Sequence, residues 1–221
     1  MRILCFGYRV WAINIYERLK KEYPKDQVSI INGEAEFRKF DVDSFKPDII
    51  LFYGWSFIVP EILTVAYKCL MLHPSNLPKY RGGSPIQNQI IDGILDSKVT
   101  IFRMNKKLDA GDILAVDSLD LRGSIYDIFE RMENSGYELT KKILEENPTP
   151  IVQNDLEATY YKRRTISQSE ITIDEIINKD SSYLYNKIRM LSDPYPNAYI
   201  KSKDGKKILI HQEDSIIFKH F

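Results

Sequence analysis

One histidine and one aspartate carry most of the chemistry this sequence could do. His73 closes an apolar run, Cys69-Leu70-Met71-Leu72, and a Pro- and Gly-rich stretch follows at once: Pro74-Ser75-Asn76-Leu77-Pro78-Lys79-Tyr80-Arg81-Gly82-Gly83-Ser84-Pro85. The apolar run reads as a buried strand that delivers the imidazole at its carboxyl end, where an open α/β sheet places its ligand crevice. Pro74 and Pro78 stop the ladder, Gly82-Gly83 lets backbone approach closely, and Ser84-Pro85 reads as an N-cap with proline at the first helical position. Asp109 lies 36 residues on, in a second turn, Leu108-Asp109-Ala110-Gly111-Asp112-Ile113. A lone histidine is ordinarily a surface or satisfied core residue. This one is one of three in the chain and stands at a rigid strand-to-loop-to-helix elbow. An imidazole and a carboxylate make an acid/base pair if they meet in space.

The elements that must position them are legible around the elbow. Met1 to Phe6 is a short apolar strand, Gly7 a turn, and Trp11, Ile15 and Leu19 fall at helical spacing. The turn has one glycine and no G-x-G-x-x-G, so a dinucleotide fingerprint is absent. Val28 to Ile31 and Asp48 to Phe52 read as the second and third strands, joined by a polar segment anchored by Phe37, Phe40, Val42 and Phe45. Strands alternating with helices predict an α/β fold, a Rossmann-like, open, mostly parallel sheet flanked by helices. Val99 to Met104 and Ile113 to Val116 flank the Asp109 turn as two further strands. Ser84 to Gly93 is predicted as a short helix, and Ser124 to Glu146 as a long amphipathic one with Ile125, Ile128, Phe129, Met132, Leu139, Ile143 and Leu144 as its buried stripe. Asn147-Pro148-Thr149-Pro150 breaks that helix. Residues 1–165 then form the principal domain and 166–221 a small C-terminal α+β appendage, with a helix near Ser181 to Leu191 and strands near Ala198 to Ile200 and Lys207 to Ile210.

The two motifs together, His-Pro-Ser-x-Leu-Pro-x-Tyr-Arg-Gly-x-Ser-Pro and Leu-Asp-Ala-Gly-Asp-Ile, resemble the formyltransferases that use 10-formyltetrahydrofolate: methionyl-tRNA, glycinamide ribonucleotide and sugar N-formyltransferases. The likeness runs from about Ile49 to Leu121 and is weaker toward both ends. It implies direct formyl transfer from the folate co-substrate to an amine without a metal, with His73 and Asp109 as catalytic residues. The resemblance also implies that the segment after the third strand, Phe57, Ile58 and Val59, lines the folate slot and reads the heterocycle edge with main-chain groups. Asp109 and Asp112 complete that slot. On the acceptor side the expected residues are Tyr8 and Arg9 after the first strand, Ser75 and Arg81 in the loop, and Lys162 and Arg163 in the cationic run Lys162-Arg163-Arg164. The residues themselves leave alternatives open: a packing tyrosine with a solvated arginine for the first pair, a solvated face for the run. One departure stands at the chemistry. The family trio is Asn-x-His plus Asp, and the position two before His73 is Met71. A thioether has no proton to donate, so Asn76 on the adjoining loop is the expected substitute donor, ahead of Asn88 and a bound water.

Composition narrows the acceptor. Lys plus Arg and Asp plus Glu number 31 each, which leaves no excess cation to hold a polyanion such as tRNA. The first expectation is therefore an amino sugar, nucleotide-linked, as the acceptor of an N-formyltransferase, with no nucleic-acid partner; the alternative is methionyl-tRNA formyltransferase, to which the short C-terminal region is less suited. An alternative of another class is a catalytically weak relative that binds folate or a nucleotide sugar. Cys5 and Cys69 both sit in apolar runs and read as reduced core residues, which implies a cytoplasmic protein. No signal pattern opens the chain, no apolar run approaches the ~18 residues of a membrane span, and no His-x-x-x-His or Cys-x-x-Cys spacing suggests a metal. The resemblance implies a homodimer.

Overall fold

In the computed structural model, which describes residues 1–211, the opening apolar run is strand β1 (Arg2–Gly7), and the Trp11, Ile15, Leu19 spacing is helix α1 (Val10–Glu22). Strand β2 (Gln27–Asn32), two one-turn helices, α2 (Glu34–Phe37) and α3 (Val42–Phe45), and strand β3 (Ile49–Phe52) follow. Helix α4 (Glu61–Ala66) leads into β4 (Cys69–His73), the apolar run with its terminal imidazole. Beyond it come β5 (Arg81–Gly82), α5 (Pro85–Ile91), β6 (Asp96–Arg103), β7 (Ile113–Asp120) and α6 (Ile125–Glu146). The connector holds β8 (Tyr160–Tyr161). The C-terminal region adds α7 (Ile173–Asn178), α8 (Ser181–Arg189) and a hairpin of β9 (Ala198–Lys201) with β10 (Lys207–Ile210). The last ten residues of the expected appendage lie outside the described residues.

The six main strands are ordered β2-β1-β3-β4-β6-β7. The first four run parallel, as the alternation of strands and helices predicts, but β6 is antiparallel to β4 and β7 antiparallel to β6. The Asp109 turn leaves β7 no other direction beside β6, because a parallel connection needs a crossover of about a dozen residues or more. One face of the sheet packs Ile3, Cys5, Leu51, Leu70 and Leu72 against α1 and α6; the other packs Leu4, Phe6, Ile50, Phe52, Cys69 and Met71 under Trp55 and Phe37. Ile171, Met190, Leu191 and Ala198 join the first cluster, so the C-terminal region shares its core with the sheet.

Helix α6 fixes how β4 sits. Ser124 is its N-cap: the side-chain oxygen accepts from the Asp127 N–H at 3.2 Å, and the Asp127 carboxylate accepts from the Ser124 N–H at 2.7 Å, a reciprocal capping box. At Gly136 a Cβ would stand 2.6 Å from Leu72 Cδ1 and 2.9 Å from Ile15 Cδ1. The missing side chain lets α6 lie directly on the strand that ends in His73.

The helix α5 begins differently from its sequence reading. Ser84 does not cap it: the residue is left-handed (φ 52°, ψ 49°), and its hydroxyl accepts from the Arg164 N–H at 3.1 Å. Pro85 does occupy the first helical turn. No helix among the described residues is long and apolar enough to cross a membrane.

Candidate active site

The strand β4 ends with His73 almost wholly buried, 5% exposed. Its Nε2 lies 2.8 Å from the Tyr80 carbonyl oxygen, which can only accept, so the Nε2 proton points there and Nδ1 is left to face the aspartate. Nδ1 is 3.7 Å from Asp109 Oδ2. That is close enough for charge to act and too long for a direct hydrogen bond. Asp109 is 8% exposed and left-handed (φ 48°), and its Oδ2 accepts from the Gly82 N–H at 2.7 Å. The loop of residues 80–82 thus touches both members of the pair through main-chain atoms.

That loop is laced down along its length. Gln89 Nε2 donates to the Pro74 carbonyl at 2.8 Å, Thr100 Oγ1 to the Ser75 carbonyl at 2.7 Å, and Ser75 Oγ to the Lys79 carbonyl at 2.7 Å. Leu77-Pro78 is a cis peptide. Tyr80 is left-handed (φ 59°) and stacks on Tyr161 with ring centroids 4.7 Å apart; both hydroxyls donate to Asp92, at 3.0 and 2.9 Å. Burial and then Asp92 push both phenols up. Three glycines take the close contacts: a Cβ at Gly82 would lie 2.4 Å from the Tyr161 carbonyl oxygen, one at Gly83 2.3 Å from the Arg163 nitrogen, and one at Gly111 only 1.6 Å from the Arg103 carbonyl oxygen.

Three loops meet beside the pair. Tyr8 and Arg9 follow β1, Trp55 to Val59 follow β3, and His73 ends β4; the strands are adjacent and parallel, so their carboxyl ends line one crevice. Tyr8 is half-buried, its hydroxyl bonded to that of Ser56 and its ring 5.5 Å from that of Phe57. The Arg9 guanidinium lies over the rings of Tyr8 and Tyr195, at 5.0 and 5.6 Å from their centroids. Phe57 and Ile58 are exposed, Val59 is half-buried, and the main-chain groups of all three hydrogen-bond to nothing among the described residues. A buried, unpartnered indole N–H at Trp55 lies behind them. Free main-chain donors and acceptors beside apolar walls fit a flat heterocycle such as a pterin. A groove of about 610 Å³ shares Phe57 and Ile58 but runs away toward α2 and α4, lined by neither His73 nor Asp109.

Several expected residues lie elsewhere. Arg81 is fully buried: its guanidinium donates to Gln153 Oε1, to Asp155 Oδ1 at 2.9 Å and to the Tyr160 hydroxyl at 2.7 Å, so it is a structural cation and not an acceptor ligand. Ser75 is also fully buried, its hydroxyl spent within the loop. Asn76 is exposed and bonds to neither His73 nor Asp109; Asn88 is buried and committed to the Gly83 carbonyl at 2.9 Å. Neither amide stands in hydrogen-bond contact with the pair in place of the missing asparagine, and Met71 packs its thioether among the aromatic cluster. Asp112 is half-buried, its carbonyl accepting from the Arg103 N–H at 2.8 Å. Lys162 and Arg163 are exposed, and the main chain of Arg163 passes over Gly83. Gln153, bonded to the Asp109 carbonyl, and Tyr195, under the Arg9 guanidinium, are neighbours the sequence reading missed. Only Tyr195, an aromatic between two prolines, left a signal. Among the described residues no cluster of three His, Cys, Asp or Glu could hold a metal.

Comparisons with known proteins bear on the family and the fold. The sequence model of the family described as Formyl transferase matches residues 32–147. A methionyl-tRNA formyltransferase of a Nitratiruptor species is 34% identical over 172 residues, which cover 76% of this chain and 55% of that protein. The chain spans about half the length of the curated relatives it matches. Among solved structures, a methionyl-tRNA formyltransferase from Clostridium thermocellum superposes with a TM-score of 0.83 at 33% identity, covering 95% of this chain and 97% of that one. A sugar N-formyltransferase from a Shewanella species shares the fold at 19% identity, with a TM-score of 0.77 and 99% of each chain covered.

Proposed function

Because this chain belongs to the formyl transferase family, we propose that it moves a formyl group from 10-formyltetrahydrofolate to a primary amine. The observation that carries the proposal is the buried His73–Asp109 pair, 3.7 Å apart at the carboxyl end of β4, the sheet end at which the adjacent parallel strands β1 and β3 also finish. When bound, the folate supplies a formyl group on a nitrogen that can leave. In this reading Phe57, Ile58 and Val59 hold its ring edge through their free main-chain groups, with Asp109 and Asp112 beyond, and Tyr8, Arg9, Lys162 and Arg163 face the acceptor.

His73 acts as the base. The Tyr80 carbonyl holds the proton on Nε2, which leaves the Nδ1 lone pair to take a proton from the attacking amine. The Asp109 carboxylate, held by Gly82, stabilises the imidazolium that results. The proton then returns to the departing nitrogen as its bond to the formyl carbon breaks. Burial of both side chains keeps the charges effective by excluding water.

Two acceptors suit the family. The balanced charge, 31 cations against 31 anions, favours a nucleotide-linked amino sugar. The relatives at 33–34% identity are named methionyl-tRNA formyltransferases, which backs the second reading, methionyl-tRNA, better than it backs a sugar. The test is to offer 10-formyltetrahydrofolate with a panel of nucleotide-linked amino sugars and, separately, with charged initiator tRNA, reading formylated product by mass spectrometry. The expected outcome is a formylated sugar, with tRNA binding that fades as salt rises and with the Lys162, Arg163 and Arg164 triple alanine variant weakening the acceptor while sparing folate. Tight, salt-tolerant tRNA binding with formylmethionine as product reverses the order. Folate binding without product from any acceptor defeats the proposal of catalysis.

A further inference from the structure

The residues that follow α6 form a strap across the outside of the reacting pair. Ile151 bridges Ile113, β8 pairs with β5, Thr159 accepts from the Arg81 N–H and bonds the Tyr80 N–H through its hydroxyl, and Tyr161 accepts from the Gly83 N–H. Gln153 is the inward-facing side chain of this strap, 7% exposed. Its amide N–H₂ donates to two carbonyls of the aspartate turn, Asp109 at 3.0 Å and Gly111 at 2.7 Å. Its Oε1 accepts from Arg81 twice, at 3.1 Å from Nε and 2.7 Å from Nη2. Every donor and lone pair of the amide is therefore used, the condition under which a buried polar group fixes its neighbours.

What Gln153 joins matters more than how well it is satisfied. On one side is the turn that holds Asp109 in a left-handed conformation unfavourable to a non-glycine residue. On the other is Arg81, which lies between the residue whose carbonyl orients His73 and the residue whose N–H orients Asp109. The distance between imidazole and carboxylate is set by these two backbone segments, and the Gln153 amide ties them together. Resting on the reading of His73 and Asp109 as the reacting pair, we infer that Gln153 is a positioning residue for Asp109, with buried Arg81 as its anchor. It lies beyond the residues that the family model matches. Neither Gln153 nor Arg81 touches the reacting groups; their effect passes through the main chain of the two loops.

The test uses Gln153→Met, which keeps the volume and loses all four bonds, and Gln153→Glu, which keeps the acceptors for Arg81 but has no proton for the two carbonyls. The readouts are steady-state formyl transfer and hydrogen exchange of individual amides in the full chain without substrate. Both variants are expected to lower kcat about 10²-fold, the cost of a displacement of roughly 1 Å at a reacting group, with KM for the folate little changed. The Gly82 N–H, bonded to Asp109, is expected to exchange about tenfold faster, as loss of one hydrogen bond implies, while amides of β1 and β3 keep their protection. Unchanged kcat, or a Gly82 amide as protected as in the wild type, overturns the inference. So does loss of protection across the whole sheet in Gln153→Glu, which would make the role one of general stability. If the wild type transfers no formyl group, the functional reading fails, and the Gly82 exchange still decides the positioning.

Discussion

At the scale of single residues, the pair His73 and Asp109 is expected to behave as one unit. His73→Ala and Asp109→Asn should each lower turnover by about 10²–10⁴, the usual worth of a positioned acid or base, and the double variant should be little worse than either. Steady-state rates of the three variants check this, and additive losses would separate the roles. Met71 is the second test. Residues 71 and 73 project to the same face of β4, so an amide at 71 would stand on the side of the strand that carries the imidazole, where the thioether now packs against the aromatic cluster. Met71→Asn is expected to be tolerated or mildly activating in a transfer assay, because it adds a donor of the kind worth about 10²–10³ where an oxyanion develops. Activity that appears only in Met71→Asn, from a wild type with none, would show a binding relative.

At the scale of elements, the close seating of α6 on β4 holds the histidine end of the strand in place. Gly136→Val is expected to destabilise the protein by about 1–3 kcal/mol, the usual cost of overpacking, despite its better helix propensity, because a Cβ 2.6 and 2.9 Å from the buried methyls of Leu72 and Ile15 must push both aside. Urea unfolding measures it; an unchanged midpoint would mean that the sheet and helix can part without cost. The N-cap is a milder control, and Ser124→Ala should cost about 1 kcal/mol.

At the scale of the whole molecule, the C-terminal region is tied down by an ion pair inside it. Lys187 is 3% exposed and its Nζ reaches both Glu175 oxygens, at 2.6 and 2.7 Å, and the Glu170 carbonyl. Burial alone would raise the Glu175 carboxyl, but hydrogen bonds from Lys187, the Thr172 N–H and the Tyr183 hydroxyl outweigh it and hold the group at about 2. Its folded value is below its unfolded value of about 4.3, so its contribution is fully present above that and is lost as pH falls toward 2. The wild type is expected to lose stability across that window more steeply than Glu175→Gln, with thermal unfolding followed at several pH values as the measurement. Parallel curves would show that the pair does not couple to folding. Above about pH 5 the variant should be less stable, since it leaves the buried ammonium without its counter-charge.

Strand β4 and the imidazole at its end, the opening strand and α1, and the span of α6 were all determined by the sequence itself, because an apolar run and a 3.6-residue period are local signals. The two motifs were enough to name the family. Tertiary structure decided where the polar side chains went. Arg81 stood in the most telling motif of the chain and is wholly buried, because its partners Gln153 and Asp155 lie more than seventy residues away and nothing local announces them. Ser84 had the composition of a cap and became a left-handed residue bonded to Arg164. Strand β7 turned back beside β6 because chain length between strands, not their composition, limits the crossover. Hydrophobic periodicity is written into neighbouring residues, whereas the partner of a buried polar group is chosen only when distant segments meet. For that reason His73 and Asp109 stood out in the sequence and the strap that crosses them did not.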